Sequence, residues 1–600
     1  MYQDGFLRYI RIGNSEVLRM INFMIRDHNW NTINQRITDE VFNLKADGFL
    51  VKYICTAEQS EIRYHWVCEI EGHSDSSITF SIQGTAKSRF QRNRIGFTVL
   101  HPNQACRGRD VLILHTDGSE EHSSFPELIS PHQPFKDIRA MQWKVDHHQV
   151  NLEFSGEVFE TEDQRNWTDD SYKTYCTPLS LPFPVKIEAG DRIFQKIRLS
   201  IPNYKSGATS VEYRSHGFSI SDAVYHLPKI AISRSSEVQN LSEKALDLLN
   251  NLGFDHYQVD LILKDDNWKS ILEDSLEESR RINTTLALSL FFTNTESELG
   301  DFLEAAILAK DEIAVINVFD YGDPFTGNRT LECTMDKLKR VFPESSVGAG
   351  TNAFFTELNR NRVDHPGLNH LVYSLNPQVH AFDNLSLIEN LYAQPDTVAT
   401  AKSFSGGRPV HISPITLKMR WNPNQTESTE VIDSLGNADP RQMSLFGAGW
   451  LLGSIQNLIG AEPALISYFE TVGAKGIIQN QQPTGNDDFI THGGALYPMY
   501  FVFQFLLQRK YEQFRPVIAT DLLSFTGIMI GQEACVLANV TDHELTIELP
   551  DELHDCQGYF IDDSNVWELM TAQLTVIDLP VNKIKNIVVL KPFALSFLNK

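Results

Sequence analysis

From residue 229 onwards, short apolar runs typical of β-strands alternate with segments in which apolar residues recur every three or four positions. The runs are Lys229–Ser233, Gln258–Leu263, Thr285–Phe292, Ile313–Phe319, Ser346–Thr351, Leu371–Asn376, Pro409–Ile415 and Ala464–Glu470. The helical segments include Glu237–Leu252, Trp268–Arg281, Glu296–Ala309, Thr330–Phe342 and Arg441–Leu458. Eight parallel strands with crossover helices over about 290 residues predict a (β/α)8 TIM barrel. A doubly wound sheet is the competing architecture, but the sequence has no GxGxxG or GxxxxGK(S/T) motif to support it.

Sequence typical of β-structure flanks the barrel segment on both sides. Before residue 228, strand-like runs are separated by Gly, Asp, Asn and Ser clusters, a spacing that favours a β-sandwich. Such runs include Phe49–Ile54, Ile62–Ile70, Ile78–Ile82 and Val111–His115. After an apolar helix near Tyr497–Leu507, the chain returns to β-rich sequence. We therefore predict an N-terminal β-sandwich-like domain at 1–227, a TIM-barrel catalytic domain at 228–512 and a small C-terminal β-domain at 513–600.

Composition disfavours several classes of protein, including nucleic-acid-binding and membrane-spanning proteins. The chain has 77 acidic and 52 basic residues and a net charge of −25, which disfavours a general nucleic-acid binder. It has no run of about 18 apolar residues that would span a membrane, and its start has no apolar run of signal-peptide length. The seven cysteines are scattered, with neither a CxxC pair nor a zinc-binding spacing. These features predict a cytoplasmic protein with reduced thiols.

Polar residues at the carboxyl ends of the predicted strands are the candidate functional residues, because a TIM barrel builds its active site there. Glu470 ends the eighth run, and period-two alternation places it on the same face as Tyr468. It is either a catalytic acid or an ion-pair partner at the barrel mouth. After the fifth run, the stretch GTNAFFTELNRNR contains Asn352, Glu357 and Arg360. These residues belong either to a functional site or to a structural cluster of salt bridges.

The sixth and seventh runs end in further polar residues. The stretch SLNPQVHAFDN contains Asn376, Gln378, His380 and Asp383. Asp383 is more simply a helix cap, whereas His380 either exchanges protons with a ligand or is a satisfied structural histidine. The seventh run contains His411, followed by a loop with Lys418, Arg420, Trp421 and Asn422. Many hydrogen-bonding groups beside aromatic rings indicate a polyhydroxylated, sugar-like ligand.

Glu357 and Glu470 lie three strands apart and would face each other across the barrel mouth. This arrangement permits glycoside cleavage by paired carboxylates, or hydrolysis of a sugar lactone by a base that activates water. Composition and spacing do not decide between the two reactions. A serine hydrolase is disfavoured because there is no GxSxG motif. Two alternatives stay open: a metal hydroxide held by His380, Asp383 and His411, and a carbohydrate-binding protein without catalytic activity.

Several long segments resemble the signature stretches of the D-apionate lactonase family. They are GFTVLHP (96–102), FPELISPHQPFKDIRAM (125–141), EDQRNWTDDSYKTYCTPLSLPFP (162–184), GTNAFFTELNRNR (350–362), YSLNPQVHAFDN (373–384) and YFETVG (468–473). The resemblance implies an N-terminal β-domain, a TIM barrel and a C-terminal β-domain. It also implies hydrolysis of D-apionolactone to D-apionate in bacterial D-apiose catabolism. The last segment usually reads YYETTG in the family, and this chain retains Glu470 and Thr471 but has Phe469 and Val472.

The leading hypothesis is therefore a carbohydrate lactonase that acts on a small sugar lactone without a cofactor or an assigned metal ion. Its predicted catalytic residues, Glu357, His380 and Glu470, follow from strand-end reasoning, because the family supplies no catalytic set. Either glutamate would activate water, and His380 would protonate the leaving oxygen. The predicted substrate-binding residues are Asn352, Arg360, Asn376, Gln378, His411 and Tyr468. The segment 162–184 is either a lid that reaches the barrel mouth or a buried seam between domains, and the oligomeric state stays open.

Overall fold

The computed structural model describes residues 1–202, 204, 216–424, 438–483, 488–572 and 575–600. The chain divides into two compact units. The first contains Met1–Arg165 and the described residues from Asp170 to position 204. The second contains Asn166–Asp169 and the described residues from His216 onwards. Among the described residues, no helix combines the length and the apolar character that a membrane crossing requires.

The second unit is built around a closed parallel barrel, which confirms the predicted (β/α)8 fold. Its strands are β1 (Lys229–Ser233), β2 (His256–Ile262), β3 (Thr285–Phe292), β4 (Ile313–Asp320), β5 (Ser346–Gly350), β6 (His370–Leu375), β7 (Val410–Ile415) and β8 (Leu465–Glu470). Each strand pairs with the next in sequence, and β8 closes the barrel by pairing with β1, as in Ile466 beside Ile230. A doubly wound sheet has open edges, so the closure rules out that alternative.

Helices follow the barrel strands, and their ends agree with capping chemistry. They are α1 (Glu243–Asn250), α2 (Trp268–Arg281), α3 (Thr295–Ala306), α4 (Asn328–Val341), α5 (Phe355–Asn361), α6 (Asn384–Glu389), α7 (Gln394–Phe404), α8 (Leu445–Ile459) and α9 (Pro498–Leu507). Ser242 caps α1 through the backbone N–H of Ala245. Asp383 caps α6 by accepting from the backbone N–H of Ser386, as the sequence predicted.

The interior of the barrel holds a layer of hydrogen-bonded polar side chains between two apolar layers. Ser289 accepts from Gln258 Nε2 at 2.8 Å, and Asn317 Oδ1 lies 2.8 Å from His370 Nε2. An apolar layer near the amino ends of the strands consists of Ala231, Ala287, Val315 and Leu465. The apolar layer near the carboxyl ends consists of Phe291, Phe319, Ala353, Val372 and Trp421. The interior is therefore packed, and ligand chemistry is confined to the carboxyl-terminal mouth.

The first unit contains a sheet of sixteen antiparallel strands among the described residues. They are Tyr2–Gln3, Phe6–Ile12, Ser15–Asp27, Gln35–Lys45, Gly48–Gln59, Ile62–His73, Ser77–Ala86, Phe90–Pro102, Asp110–His115, Glu120–Ser124, Phe135–Val145, His148–Ser155, Phe159–Asp163, Ser171–Tyr175, Val185–Ile187 and Arg192–Ser200. Alternate residues of strands such as Ile62–His73 are buried in one apolar core. The unit is sheet-rich as predicted, and its sandwich-like arrangement stays a prediction.

A second sheet belongs to the barrel unit and has nine strands among the described residues. They are His216–Ile220, Phe514–Ala519, Phe525–Ile530, Ala534–Asn539, Leu545–Glu548, Cys556–Ile561, Asn582–Ile584, Ile587–Leu590 and Leu595–Asn599. The first of them precedes the barrel in sequence and pairs antiparallel with Phe514–Ala519. It therefore lies in the C-terminal sheet, although the sequence placed it before the predicted boundary at 227. The predicted domain boundaries themselves stay predictions.

Short helical segments connect the remaining elements. The described α-helices outside the barrel are Asn103–Cys106 and Val566–Ala572. The described 3-10 helices are Gln164–Trp167, Ile307–Glu312, Asn390–Tyr392, Pro440–Met443, Asp551–Leu553 and Val576–Asp578.

Candidate active site

Asn352, Arg420 and Asp260 are connected at the carboxyl-terminal mouth of the barrel. Arg420, in the loop after β7, forms an ion pair with Asp260 of β2. Its Nη1 also donates to Asn352 Oδ1 at 2.6 Å, just after β5. Trp421 Nε1 donates to the backbone carbonyl of Asn352 at 3.1 Å. The loop after β7 therefore fixes both the backbone and the side chain of Asn352.

The contact with Arg420 determines which way the Asn352 amide points. A guanidinium only donates hydrogen bonds, so the Asn352 atom that faces it is the oxygen. The Nδ2 group then points elsewhere, and it is buried without a hydrogen-bond partner among the described residues. Asn352 itself is 5% exposed. A buried donor without a partner destabilises the fold by about 1–3 kcal/mol, so its retention at a barrel mouth suggests that a ligand acceptor satisfies it.

Glu357 lies in the first turn of α5, which follows strand β5, and is 7% exposed. Burial raises the pKa of Glu357, because a charged carboxylate is poorly solvated there. The positive charge of Arg360 and a hydrogen bond from Asn424 oppose this rise. Asn424 belongs to the same loop as Arg420. One loop thus contacts both Asn352 and Glu357, which joins these two predicted residues into one group.

His380, in the loop after β6, forms a pair with Asp169. His380 Nδ1 lies 2.6 Å from Asp169 Oδ2. The edge of the Trp167 ring packs against the His380 ring with centroids 5.5 Å apart. The Arg360 guanidinium lies 5.2 Å from the centroid of the same Trp167 ring. A continuous series of contacts therefore leads from Glu357 through Arg360 and Trp167 to His380.

Residues Asn166–Asp169 belong to the barrel unit, although the residues before and after them belong to the first unit. Asn359 of α5 donates to Asn166 Oδ1 at 3.0 Å, which links the segment to the helix that carries Glu357. The rest of the predicted segment 162–184 forms ion pairs within the first unit, such as Lys173 with Glu162. The segment therefore divides between the two units.

Glu470, at the end of β8, lies in a second group of polar residues at the mouth. Ser236 donates its backbone N–H to Glu470 Oε2 at 2.7 Å and also donates its hydroxyl. Lys475 Nζ lies 3.3 Å from Oε1. The β1–β8 register shifts beside Glu470, and Phe469 has a φ of +43°. This irregularity interrupts the alternation that placed Glu470 on the face of Tyr468.

Glu237 joins this second group, and the sequence reasoning missed it. Burial, reinforced by the negative charge of Glu470, raises the pKa of Glu237, while Ala474 and Lys475 oppose the shift. The carboxylate packs over Gly473, where a Cβ atom would lie 2.4 Å from Glu237 Cδ. Its position four residues after the first predicted strand was a usable signal, because strand-end loops carry the active site.

Two predicted binding residues are engaged in contacts that hold the loop after β6. Gln378 donates from Nε2 to Asp439 Oδ2 and to the Leu417 carbonyl, both at 2.7 Å. Its Oε1 accepts from Arg441 Nη2 at 2.7 Å. Asn376 Oδ1 accepts from the backbone N–H of Gln378 at 3.2 Å. Their predicted contacts with substrate stay predictions.

The other two predicted binding residues lie away from these groups. His411 belongs to the polar layer inside the barrel, where its ring stacks on that of His370 with centroids 3.8 Å apart. Burial, together with repulsion from neighbouring histidines and Lys229, lowers the pKa of His411 well below its usual value. The Tyr468 hydroxyl shares a hydrogen bond with Ser454 of helix α8 at 2.8 Å. The roles predicted for both residues stay predictions.

The three residues considered as a metal site have separate environments. His380 pairs with Asp169, Asp383 caps α6, and His411 stacks on His370. The part of the chain that the structure describes contains no group of three or more His, Cys, Asp or Glu side chains that could hold a metal ion.

Comparison with known proteins gives matches along most of the chain. Residues 1–204 match the family model for the N-terminal domain of D-apionate lactonase, and residues 230–510 match that for its TIM barrel domain. A D-apionate lactonase of Brucella anthropi is 30% identical over 506 residues, which cover 80% of this chain and 82% of that protein.

Two of the solved structures that the chain matches share little sequence with it. A family 51 α-L-arabinofuranosidase from Bifidobacterium longum is 10% identical with a TM-score of 0.43, covering 65% of this chain and 99% of its own. A GH30 endoxylanase from Clostridium papyrosolvens C71 is 11% identical with a TM-score of 0.39, covering 64% of this chain and 100% of its own.

Proposed function

The chain belongs to the D-apionate lactonase family, and we propose that it hydrolyses a sugar lactone, D-apionolactone, to D-apionate. The reaction adds water across an ester bond inside a ring. It requires a base for water, a donor that stabilises the oxyanion, and an acid that protonates the departing ring oxygen. The residues around Asn352, Glu357 and His380 supply one candidate for each task.

The observation that carries this proposal is the buried Nδ2 group of Asn352, which lacks a partner among the described residues. When water attacks the lactone carbonyl, the carbonyl oxygen gains negative charge, and a fixed donor stabilises that charge more than it stabilises the ground state. Arg420 holds the amide by its oxygen and further polarises it. A glycosidase transition state is cationic at carbon and has no comparable oxyanion to bind.

Glu357 is the proposed base. Burial raises the pKa of its carboxyl, so the ionised form takes a proton from water more readily than an exposed carboxylate does. Water loses this proton as its oxygen bonds to the carbonyl carbon. Arg360 lies on the same helix with its guanidinium beside the Trp167 ring, and we assign it the task of orienting the lactone.

His380 is the proposed acid. When the tetrahedral intermediate collapses, the bond between the carbonyl carbon and the ring oxygen breaks, and His380 Nε2 donates a proton to that oxygen. The product is the open hydroxy acid. Glu357 then releases its proton to solvent and His380 takes one up, so the net change is the addition of one water molecule.

The test is the replacement Asn352→Asp, which keeps the side-chain shape and the contact with Arg420 but exchanges the donor for an acceptor. Loss of one oxyanion donor lowers kcat by about 10²–10³-fold, with a smaller change in KM. The matched control is Asn369→Asp, because Asn369 bonds the Val347 backbone at the other end of the barrel. Near-normal kcat in a folded Asn352→Asp protein would remove the oxyanion role.

A further inference from the structure

We infer that Asp169 is a positioning residue that fixes the tautomer of His380 and stabilises its protonated ring. This inference rests on the proposed function, in which His380 is the proton donor. Asp169 lies 211 residues before His380 in the sequence, within the four-residue segment Asn166–Asp169 that joins the barrel unit.

Side chains from two other elements bind different oxygens of the Asp169 carboxylate. Its Oδ2 lies 2.6 Å from His380 Nδ1, and its Oδ1 accepts from Asn390 Nδ2 at 3.1 Å. Asn390 Nδ2 also donates to the Pro377 carbonyl at 2.9 Å. A carbonyl only accepts, so the Asn390 group that faces Asp169 is the NH2 group and needs an acceptor there. One carboxylate oxygen therefore accepts from Asn390, and the other lies at hydrogen-bond distance from His380.

The segment is attached to the barrel on two further sides. Asn359 of α5 donates to Asn166, and Asn359 is completely buried. Trp167 contacts both the His380 ring and the Arg360 guanidinium. These contacts fix the plane of the His380 ring as well as the proton on Nδ1. A ring held in this way directs Nε2 along one line, which is what transfer to a leaving oxygen requires.

The charges around His380 come from several elements. Asp169 faces the ring from the segment Asn166–Asp169, and Arg360 of α5 contacts the Trp167 ring beside it. Asp383 caps α6 in the loop that carries His380, and Arg441 donates to the Phe382 carbonyl in that loop. Asp169 makes a direct hydrogen bond to the ring, and a carboxylate at that position favours protonated over neutral His380.

Asp169→Asn is the decisive variant. Because Asn390 requires an acceptor, the new amide turns its oxygen to Asn390 and its NH2 group to His380 Nδ1. The ring must then accept at Nδ1 and carry its proton on Nε2, and protonation of Nδ1 becomes unfavourable. We expect kcat to fall about 10²–10⁴-fold, as for the wrong histidine tautomer in a catalytic triad. We also expect the alkaline limb of the kcat/KM profile to move to lower pH.

A second readout does not depend on turnover. Long-range 1H–15N correlation spectra of protein labelled at histidine report the tautomer, and loss of a signal in His380→Gln assigns it to His380. The wild type should show the proton on Nδ1, and Asp169→Asn should show it on Nε2. Asp364→Asn is the matched control, because Asp364 is an exposed aspartate that pairs with Arg408.

The two readouts separate failure of this inference from failure of the proposed function. If the wild-type His380 carries its proton on Nε2, or if Asp169→Asn leaves the tautomer unchanged, the inference is overturned. If the tautomer changes as expected but the wild type hydrolyses no lactone, the positioning role stands and the reaction is wrong. Should Asp169→Asn fail to fold, Asp169→Ala with added formate replaces it, and recovery of activity by formate supports the carboxylate role while no recovery opposes it.

Discussion

The burial proposed to make Glu357 a stronger base should also lower the stability of the fold. Its pKa is raised by burial, so the folded protein favours the protonated carboxyl. A raised pKa contributes stability below the pKa of the unfolded chain, and this contribution is lost as the pH rises through the folded pKa. At pH values above the folded pKa, the charged carboxylate therefore weakens the fold that holds it.

Glu357→Gln should lower turnover about 10²–10⁴-fold and raise the melting temperature at about pH 8. The rise should shrink at about pH 4, near the ordinary pKa of a glutamate, because a carboxyl with a raised pKa is protonated there. Scanning calorimetry of both proteins at the two pH values measures this difference. Glu344→Gln is the control, since Glu344 is exposed. A melting temperature that is lowered at high pH would contradict the burial argument.

Glu470 is the second carboxylate that the sequence offered as a base, and its contacts distinguish it from Glu357. Its oxygens accept from Ser236 and lie beside Lys475. Removal of a general base lowers turnover by more than about tenfold. Because we assign that role to Glu357, we expect Glu470→Gln to keep turnover within about tenfold of the wild type. Steady-state assays of the two Gln variants side by side decide between them. A larger loss in Glu470→Gln than in Glu357→Gln would move the base to β8.

Strand-end reasoning proposed Asn352, Glu357 and His380, but it did not single out Asp169 within the segment 162–184 that it offered as a possible lid. The first three follow predicted strands directly, and the barrel geometry brings such positions together. Asp169 is separated from His380 by 211 residues and follows no barrel strand, so local pattern carries no sign of the pairing. A single sequence cannot reveal a contact that depends on the whole fold.

Strand β5 is rich in glycine, and packing inside the barrel explains why glycine is suited to this strand. Gly348 faces the interior, where a Cβ atom would lie 2.2 Å from His370 Nε2. The absence of a side chain therefore admits the imidazole and its hydrogen bond to Asn317. The sequence SVGAGT predicted a strand correctly, whereas the reason for its glycines is visible only across the barrel.

Gly348→Ala should destabilise the protein by about 1–3 kcal/mol, because the added methyl group overfills the polar layer. Gly300→Ala is the matched control, since Gly300 lies in α3 with open space around it. Alanine there should stabilise the protein by about 0.5–1 kcal/mol through helix propensity. Urea unfolding of both variants measures the changes. Equal stabilities for the two variants would show that the interior accommodates the methyl group.

Strand β8 shows the limit of period-two reasoning. Regular alternation placed Glu470 on the face of Tyr468, but the register shifts near the strand end and Phe469 adopts a positive φ. Irregularities of this kind re-aim side chains and are common at the rims of barrels. The sequence YFETVG contains no glycine at the shifted position that would have signalled it.

For the whole molecule, the barrel was predictable because each strand pairs with the next in sequence. The C-terminal sheet was only partly predictable. Its strand His216–Ile220 joins Phe514–Ala519 across a gap in sequence that contains the entire barrel, as in the bond from Gly217 to Thr520. Strand-like composition predicts that such segments form sheets, but it does not predict which sheet they join.

The net charge of −25 predicts how the molecule responds to salt. A lactone substrate is neutral and its product is an anion, so the protein field repels the product alone. Screening by about 0.5 M NaCl should strengthen product inhibition by a factor of about two while leaving KM for the lactone unchanged. Inhibition constants measured at low and high salt test this. Weaker inhibition at high salt would show that local cationic groups such as Arg420 govern product binding.

The proposed lactone hydrolysis is tested most directly by measuring acid release from freshly prepared D-apionolactone. The release is followed with a pH indicator and corrected for spontaneous hydrolysis. Other aldonolactones and aryl glycosides are assayed beside it, with the wild type, Asn352→Asp and Glu357→Gln. We expect rapid acid release by the wild type, and we expect the turnover of both variants to be lower by about 10²-fold or more. Cleavage of aryl glycosides without lactone hydrolysis would contradict this expectation and return Glu357 and Glu470 to the roles of paired glycosidase carboxylates.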